Sequence, residues 1–374
     1  MKRLLFIFLI FSLKSFAQKD TEVVFKSIKE ALVNPTIVKS LDLSDQQLKQ
    51  LPAEIIKLTT LEKIDIGSNP DLDLVQTFEV LKQIPSLKIL WLTDGKIKAL
   101  PNNISQLKNL EELWLDDNEL TSFPDPIKQL TNLKYLRLFS NKIKKVNFKK
   151  GQLPNLIYID LCYNEFETFP VELSVLPNLK RIIIWYNSIS TIPRSIKRFK
   201  AIEEINLQNN RLTSIPNQFG RLKTIQKLSL RDNKLSEKTI KGIYELYNLK
   251  DLDLQGNDIS VLSDKVANLK QLERLSVCDN PLNELPVELE QIKTIQQLGL
   301  GDLHSLNWTN AFAIMEKLPN LKRVGMYTMK LPSMPLGFDK LQQVDTFWLT
   351  FNSFDNLEKK RIQAMVPKAK IDFE

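Results

Sequence analysis

What the chain lacks narrows its chemistry before anything else does. It has one histidine, His304, and two cysteines, Cys162 and Cys278, in 374 residues. A single imidazole excludes a His-cluster metal site, and no sequence neighbour of His304 offers the partner that a Ser-His or Cys-His nucleophile would need. A surface or turn histidine is the expectation. No G-x-x-x-x-G-K or G-x-S-x-G phrase occurs, so neither a phosphate-cradling loop nor a nucleophile elbow is encoded. After residue 17 there is no further hydrophobic run long enough to cross a bilayer, so no transmembrane segment is expected.

The one long apolar run lies at the start. Lys2 and Arg3 precede Leu4 to Leu13, and Ser15-Phe16-Ala17 places small residues where a signal peptidase reads them. Residues 1–17 are therefore read as a signal peptide cleaved near Ala17, and the mature chain as exported to the periplasm, the cell surface or the medium. No Cys stands at the cleavage point, so a lipid anchor is not expected. Removing the leader lowers the formal net charge of +8 to about +5. Much of the excess sits at Lys142, Lys144, Lys145, Lys149 and Lys150 and around Arg194 to Lys200, outside the strand positions. That is too diffuse and too interleaved with acids for a phosphate-tracking stripe, and no nucleic acid is expected as a partner.

What the chain has in abundance is one phrase, repeated fourteen times from Val38 to Phe354 at about 23 residues each. It is clearest in Leu110-Glu-Glu-Leu113-Trp-Leu115-Asp-Asp-Asn118-Glu-Leu120-Thr-Ser-Phe123-Pro124. The fourth and sixth positions, such as Leu113 and Leu115 or Ile182 and Ile184, should point into a core, leaving the third, fifth and seventh to face solvent. Asn fills the ninth position in ten units, among them Asn118, Asn187 and Asn280, where a buried amide can serve turn groups that lack a ladder partner. Gly95, Leu303 and Met329 depart from this, which unsettles the turn in those units. One such unit cannot bury its own apolar face, so the units must stack into a solenoid.

The outer segments and ends follow the same logic. Eight units carry proline after the fourteenth position, as at Pro52 and Pro101, which favours extended or short-turn backbone over long helix. The second and twelfth units are longer. In them Leu72, Phe78, Ile84 and Pro85 recur in spacing as Leu306, Phe312, Leu318 and Pro319, which predicts convex helices; Ile240, Ile243 and Leu246 suggest a third in the ninth unit. Residues 18–37 are read as an N-terminal cap, with Val24, Ile28, Ala31 and Leu32 on one face of a helix. Residues 355–374 are read as a C-terminal cap: Asp355 starts a helix carrying Leu357, Ile362 and Met365, and Ile371 and Phe373 close with a strand.

This pattern resembles the leucine-rich repeat family, nearest to its 23-residue class with the Leu-Pro step, as found in exported bacterial members. The resemblance runs from Val38 onward. It implies an α/β solenoid: a horseshoe of about 14 repeats (38–354) with a parallel concave β-sheet and a mostly irregular or short-helix convex side. It also implies non-enzymatic binding of a protein, peptide or glycan on the concave face, with no cofactor. In that register Cys162 and Cys278 both fall at the seventh position, five units and about 24 Å apart. They cannot pair with each other, and both are expected as free thiols on the concave surface.

Concave positions of the third to seventh units carry Trp91, Trp114, Tyr135, Arg137, Phe139, Tyr158, Asp160, Tyr163, Trp185 and Tyr186, whereas the eighth to twelfth are polar. Trp91 and Trp114 should be lateral neighbours, with Arg137 and Asp160 next in the row. Two accounts compete for this patch. Aromatic neighbours stabilise a sheet without any ligand, by about 0.2–1 kcal/mol per pair. Alternatively, an apolar area rimmed by Asp94, Glu112, Asp116, Asp117, Arg137 and Arg181 is a recognition surface for a protein or peptide, since Trp, Tyr and Arg dominate binding hot spots. Tryptophans flanked by carboxylates also suit sugar rings, which keeps a glycan as the alternative ligand. Asp116 and Asp160 are, by position only, a carboxylate pair for a glycan-active enzyme.

Overall fold

The computed structural model describes residues 23–374. The expected signal peptide lies outside the described residues. Sixteen short strands, all parallel and in sequence order, form one sheet from Val24–Phe25 to Lys370–Asp372. The register places equivalent positions side by side: Leu90 pairs with Leu113, Leu113 with Leu136, Leu136 with Ile159 and Ile159 with Ile182. These fourth-position side chains, with sixth-position partners such as Leu115 and Ile184, are fully buried. The core is thus a continuous column in which each unit is covered only by its neighbours.

The ninth-position asparagines tie that column together. Asn118 Nδ2 donates to the carbonyls of Leu92, Leu115 and Asp116 at 2.8, 3.0 and 3.1 Å, and its Oδ1 accepts from the N–H groups of Gly95 and Ile97 at 3.0 Å. One amide therefore satisfies five backbone groups across two successive units. Asn141, Asn164, Asn210 and Asn280 repeat the three donated bonds and accept from one N–H each. Where Asn is missing the turn changes: the residue after Gln46, Gly95 or Met329 adopts a left-handed backbone, at Gln47, Lys96 and Lys330. At Leu303 the N–H instead approaches Met329 Sδ at 3.3 Å.

The convex side is built from short pieces. Pro52, Pro101, Pro124, Pro170, Pro193, Pro216 and Pro286 each stand directly before a five-residue 3₁₀ helix, their φ already near −65°. Both expected α-helices are present, Leu74–Leu81 and Trp308–Glu316, capped by Asp73 and Asn307. The ninth unit is a correction. Its segments Glu237–Thr239 and Lys241–Glu245 are 3₁₀ helices. Ile240, Ile243 and Leu246 recur every three residues, the period of the tighter helix, so all three bury without an α-helix.

The ends also differ from expectation. The N-terminal cap is a two-residue strand and one helical turn, Ile28–Ala31, rather than a helix from Val24 onward. Strand Val24–Phe25 pairs with Ser40–Leu41 and satisfies the edge of the first repeat, which a helix cannot do. At the other end Asp355 caps helix Asn356–Met365, and Lys370–Asp372 closes the sheet. Leu357, expected on the buried face with Ile362, is exposed, because five residues turn a helix by ~140° past that face.

A feature not anticipated from sequence runs along the N-terminal edge of the strands, where second-position charges alternate from unit to unit. Lys39 and Lys88 flank Glu62, Lys134 meets Glu111 at 2.7 Å, Lys180 meets Glu203 at 2.9 Å, and Lys250 meets Glu273 at 3.5 Å. Exposed pairs of this kind contribute about 0–1 kcal/mol each, but a slip that juxtaposes like charges is disfavoured.

The amide network makes a direct prediction. Asn187 Oδ1 accepts from Phe166 N at 3.0 Å while its Nδ2 donates to Leu161, Ile184 and Trp185 carbonyls. Asn187→Ala should lower unfolding stability by about 1–3 kcal/mol; thermal or denaturant melting checks this, and an unchanged midpoint contradicts it.

Candidate functional site

The parallel register brings fifth-position side chains into a row. Trp91 and Trp114 stack face to face, their centroids 4.1 Å apart and planes 12° apart. Lys63 Nζ lies 3.4 Å from the Trp91 centroid on one side, and the Arg137 guanidinium carbon lies 4.3 Å from the Trp114 centroid on the other. The result is a four-layer stack, cation, indole, indole, cation, whose indole faces are all occupied by neighbours and whose edges are left to the concave surface. Glu112 Oε1 accepts from Trp91 Nε1 at 3.4 Å. In the third-position row Tyr135 and Tyr158 lie 6.4 Å apart, Arg181 sits over Tyr158, and Arg181 Nε pairs with Glu204 at 2.8 Å.

A second aromatic group forms from the seventh and eighth positions. Tyr163 and Tyr186 are stacked at 4.6 Å with planes 6° apart, Trp185 meets Tyr163 edge-on at 5.0 Å, and Phe139 meets Tyr163 edge-on at 5.2 Å. The ring contacts of the anticipated patch therefore fall into separate groups. The eighth position is in the left-handed region in all fourteen units. Most units place Asp, Ser, Asn, Thr or Gly there, residues that tolerate this conformation. Tyr163, Tyr186 and Phe351 are the exceptions, at φ of 51°, 52° and 58°, and all three side chains are exposed. A bulky residue in this region is strained, and exposure gives it no core packing in return.

Beneath and between the two groups lies a buried charge cluster, which corrects three expectations. Asp116 is not a rim residue: it is 4% exposed, with Oδ2 2.7 Å from Arg137 Nη2 and Oδ1 accepting from Phe139 N at 3.1 Å. Burial, opposed by Arg137 and assisted by Asp160, pushes its carboxyl up to about 7. Asp160, 7% exposed, accepts from Cys162 N at 3.0 Å and from Tyr158 Oη at 3.3 Å. Two carboxylates sunk in the sheet and occupied by their own backbone do not flank an open site for a glycosidic bond. The cysteines are free but buried, not surface thiols. Burial raises both thiols above the ordinary range, Cys162 well above it, with Asp160 adding to the effect there.

Further along the arc, Gly301 and Gly325 leave room for the Tyr327 ring to lie against the sheet; a Cβ at Gly301 would meet that ring at 2.5 Å. Arg231 Nε pairs with Asp232 at 3.1 Å, and burial pushes the nearby Asp253 carboxyl up to about 6. Arg231 and Asp253 read as polar concave positions in the sequence, but only the register shows which side chains meet. His304 is half-exposed with Asp302 Oδ1 at 3.7 Å, a neighbour the sequence reading missed. Among the described residues no group of three or more His, Cys, Asp and Glu side chains is placed to hold a metal ion, and no helix is long and apolar enough to cross a membrane.

The leucine rich repeat profile matches residues 177–235 and the two-copy leucine rich repeat profile matches 108–151. A solved leucine-rich repeat protein of Leptospira interrogans is 31% identical, with alignment covering 94% of this chain and all of that one at a TM-score of 0.73. The chain belongs to the leucine-rich repeat family. A Listeria monocytogenes internalin shares this leucine-rich repeat fold at 20% identity, covering 86% of this chain and 82% of that one at a TM-score of 0.61. The Toll–Spätzle complex from Drosophila does so at 20% identity, covering 84% and 44%, at 0.65. No curated protein matches the sequence.

Two predictions follow from the buried groups of this leucine-rich repeat sheet. The native protein should be inert to a thiol reagent, and the denatured, unreduced protein should react at both cysteines; fast native reaction contradicts their burial. The Asp116 carboxyl holds its proton in the folded state at pH values where the unfolded chain has released it. Native stability is therefore lost as pH rises between about 4 and 7, by at most about 4 kcal/mol from this group. Asp116→Asn should gain melting temperature relative to the wild type between pH 5 and pH 8; a constant difference contradicts the assignment.

Proposed function

We propose that this is an exported, non-enzymatic leucine-rich repeat protein that binds a protein or peptide on the concave surface formed by Trp91, Trp114, Tyr135, Arg137, Phe139, Tyr158, Asp160, Tyr163, Trp185 and Tyr186. The observation that carries this reading is the pair Tyr163 and Tyr186. They are half-exposed rings held in a backbone conformation that small residues occupy in most other units. Stacking alone is a poor reason to keep them, since the strain of about 1–2 kcal/mol offsets the ~0.5–1.5 kcal/mol of an aromatic pair. Rigid, exposed Tyr and Trp side chains beside an Arg are the composition of binding hot spots. The Toll chain, which shares the fold, is found in complex with Spätzle.

A glycan is less well served. Sugar rings bind by laying their C–H face on an open indole, and the faces of Trp91 and Trp114 are covered by Lys63, by each other and by Arg137. Edges of stacked rings suit the varied apolar and hydrogen-bonding surface of a polypeptide better. Export rests on the first 17 residues and would be tested by N-terminal sequencing of the mature protein.

The reading separates stability from binding at one residue. Tyr186→Asn substitutes a side chain that accepts the left-handed backbone, as Asn209 does in the next unit. It should change folding stability by less than about 1 kcal/mol while weakening partner affinity by ~2 kcal/mol or more. Melting curves and titration calorimetry with the captured partner measure the two effects. A large loss of stability with unchanged affinity would make the tyrosine stack structural.

A further inference from the structure

We infer that the segment seated on the aromatic surface is basic, presenting Lys or Arg side chains to an acidic concave face; the inference rests on the site proposed above. Charge is sorted between the two sides of the solenoid. The third, fifth, seventh and eighth positions of the fourteen units carry fourteen acidic and seven basic residues. The whole chain leans the other way, with 52 Lys and Arg against 44 Asp and Glu. Asp116 and Asp160 among these acids are buried, which leaves twelve acidic against seven basic on the exposed sheet surface, and the basic excess, including Lys144, Lys145 and Lys149, lies outside it.

Around the aromatic groups the surplus is not neutralised from within. The cations on this half of the sheet already have partners: Lys63 lies over Trp91, Arg137 is paired with Asp116, and Arg181 is paired with Glu204. Arg137 is the cation between two buried carboxylates, Asp116 and Asp160. Asp94 and Asp117 stand exposed in the turns that follow the two Trp strands, held in the left-handed conformation that Asp tolerates. A concave surface over a low-dielectric interior focuses such a field, attracting cationic segments and repelling phosphate-bearing ones. The edges of the indoles and the phenol groups then provide the apolar and π surface on which guanidinium and ammonium stems pack.

A random linear-peptide library displayed on phage, panned against the mature protein, tests this. Clones are re-measured as synthetic peptides against Trp185→Ala/Tyr186→Asn and against Asp94→Asn/Asp117→Asn, with far-UV circular dichroism and melting curves showing that each variant is folded. The expected peptides lose binding to the aromatic variant and are rich in Lys and Arg. They should weaken about tenfold when salt is raised into the molar range, and several-fold with the Asp variant. Peptides that need the aromatic residues but are neutral or acidic, or insensitive to salt, overturn the inference while leaving the site intact. If no selected peptide depends on Trp185 and Tyr186, the site itself fails and the inference with it.

Discussion

Every other property of this molecule depends on the inability of a single repeat to bury its own core. Leu113 and Leu115 are fully buried because strands on either side cover them, and the same holds unit after unit along the stack. The asparagine amides make this stacking specific in addition to being favourable. Each binds carbonyls of its own turn and of the preceding unit, so a shift of register would strand buried backbone groups that have no other partner. Hydrophobic burial supplies the stability, and the amide ladder sets the register.

A fixed register turns the order of residues in the repeat into geometry on the surface. Trp91, Trp114 and Arg137 are far apart in sequence but consecutive in one row, and Lys63, at the third position of the preceding strand, reaches over Trp91 to complete a cation-capped indole stack. The alternating Lys and Glu of the strand edge arise in the same way. So does the eighth-position column, where one backbone conformation is imposed on every unit and the side chain must accept it. Within that column Asp, Asn and Ser relax the turn, whereas Tyr163 and Tyr186 oppose it. Stability of the scaffold and composition of the proposed binding surface are therefore set mainly at different positions, which lets the concave face vary without loss of the fold.

Much of this was legible in the sequence because the repeat is long, regular and local. The sheet, the asparagine column, the two convex α-helices at Leu74–Leu81 and Trp308–Glu316 and the Asp355 cap follow from periodicity and capping chemistry. The neighbour relation of Trp91 and Trp114 followed from register. Burial at the seventh position, seen at Asp116, Cys162 and Cys278, did not, because alternation along the strand puts that position on the same face as the exposed third and fifth. The left-handed column was hidden for a related reason: Asp and Ser at the eighth position look like ordinary surface residues until the backbone is known. The N-terminal strand was obscured by apolar spacing that fits a helical face as readily as a short edge strand.

The central claim is that the surface around Trp185, Tyr163 and Tyr186 is where a polypeptide partner binds. Oxidative footprinting of the free and partner-bound protein, with side-chain labelling read residue by residue, tests it most directly. The account predicts strong protection of Tyr163, Trp185 and Tyr186 on binding, with little change at Phe351 and Tyr247, which are exposed elsewhere on the solenoid. Protection confined to Phe351, Trp348 and Tyr327, with Tyr163 and Tyr186 still labelled, would contradict it.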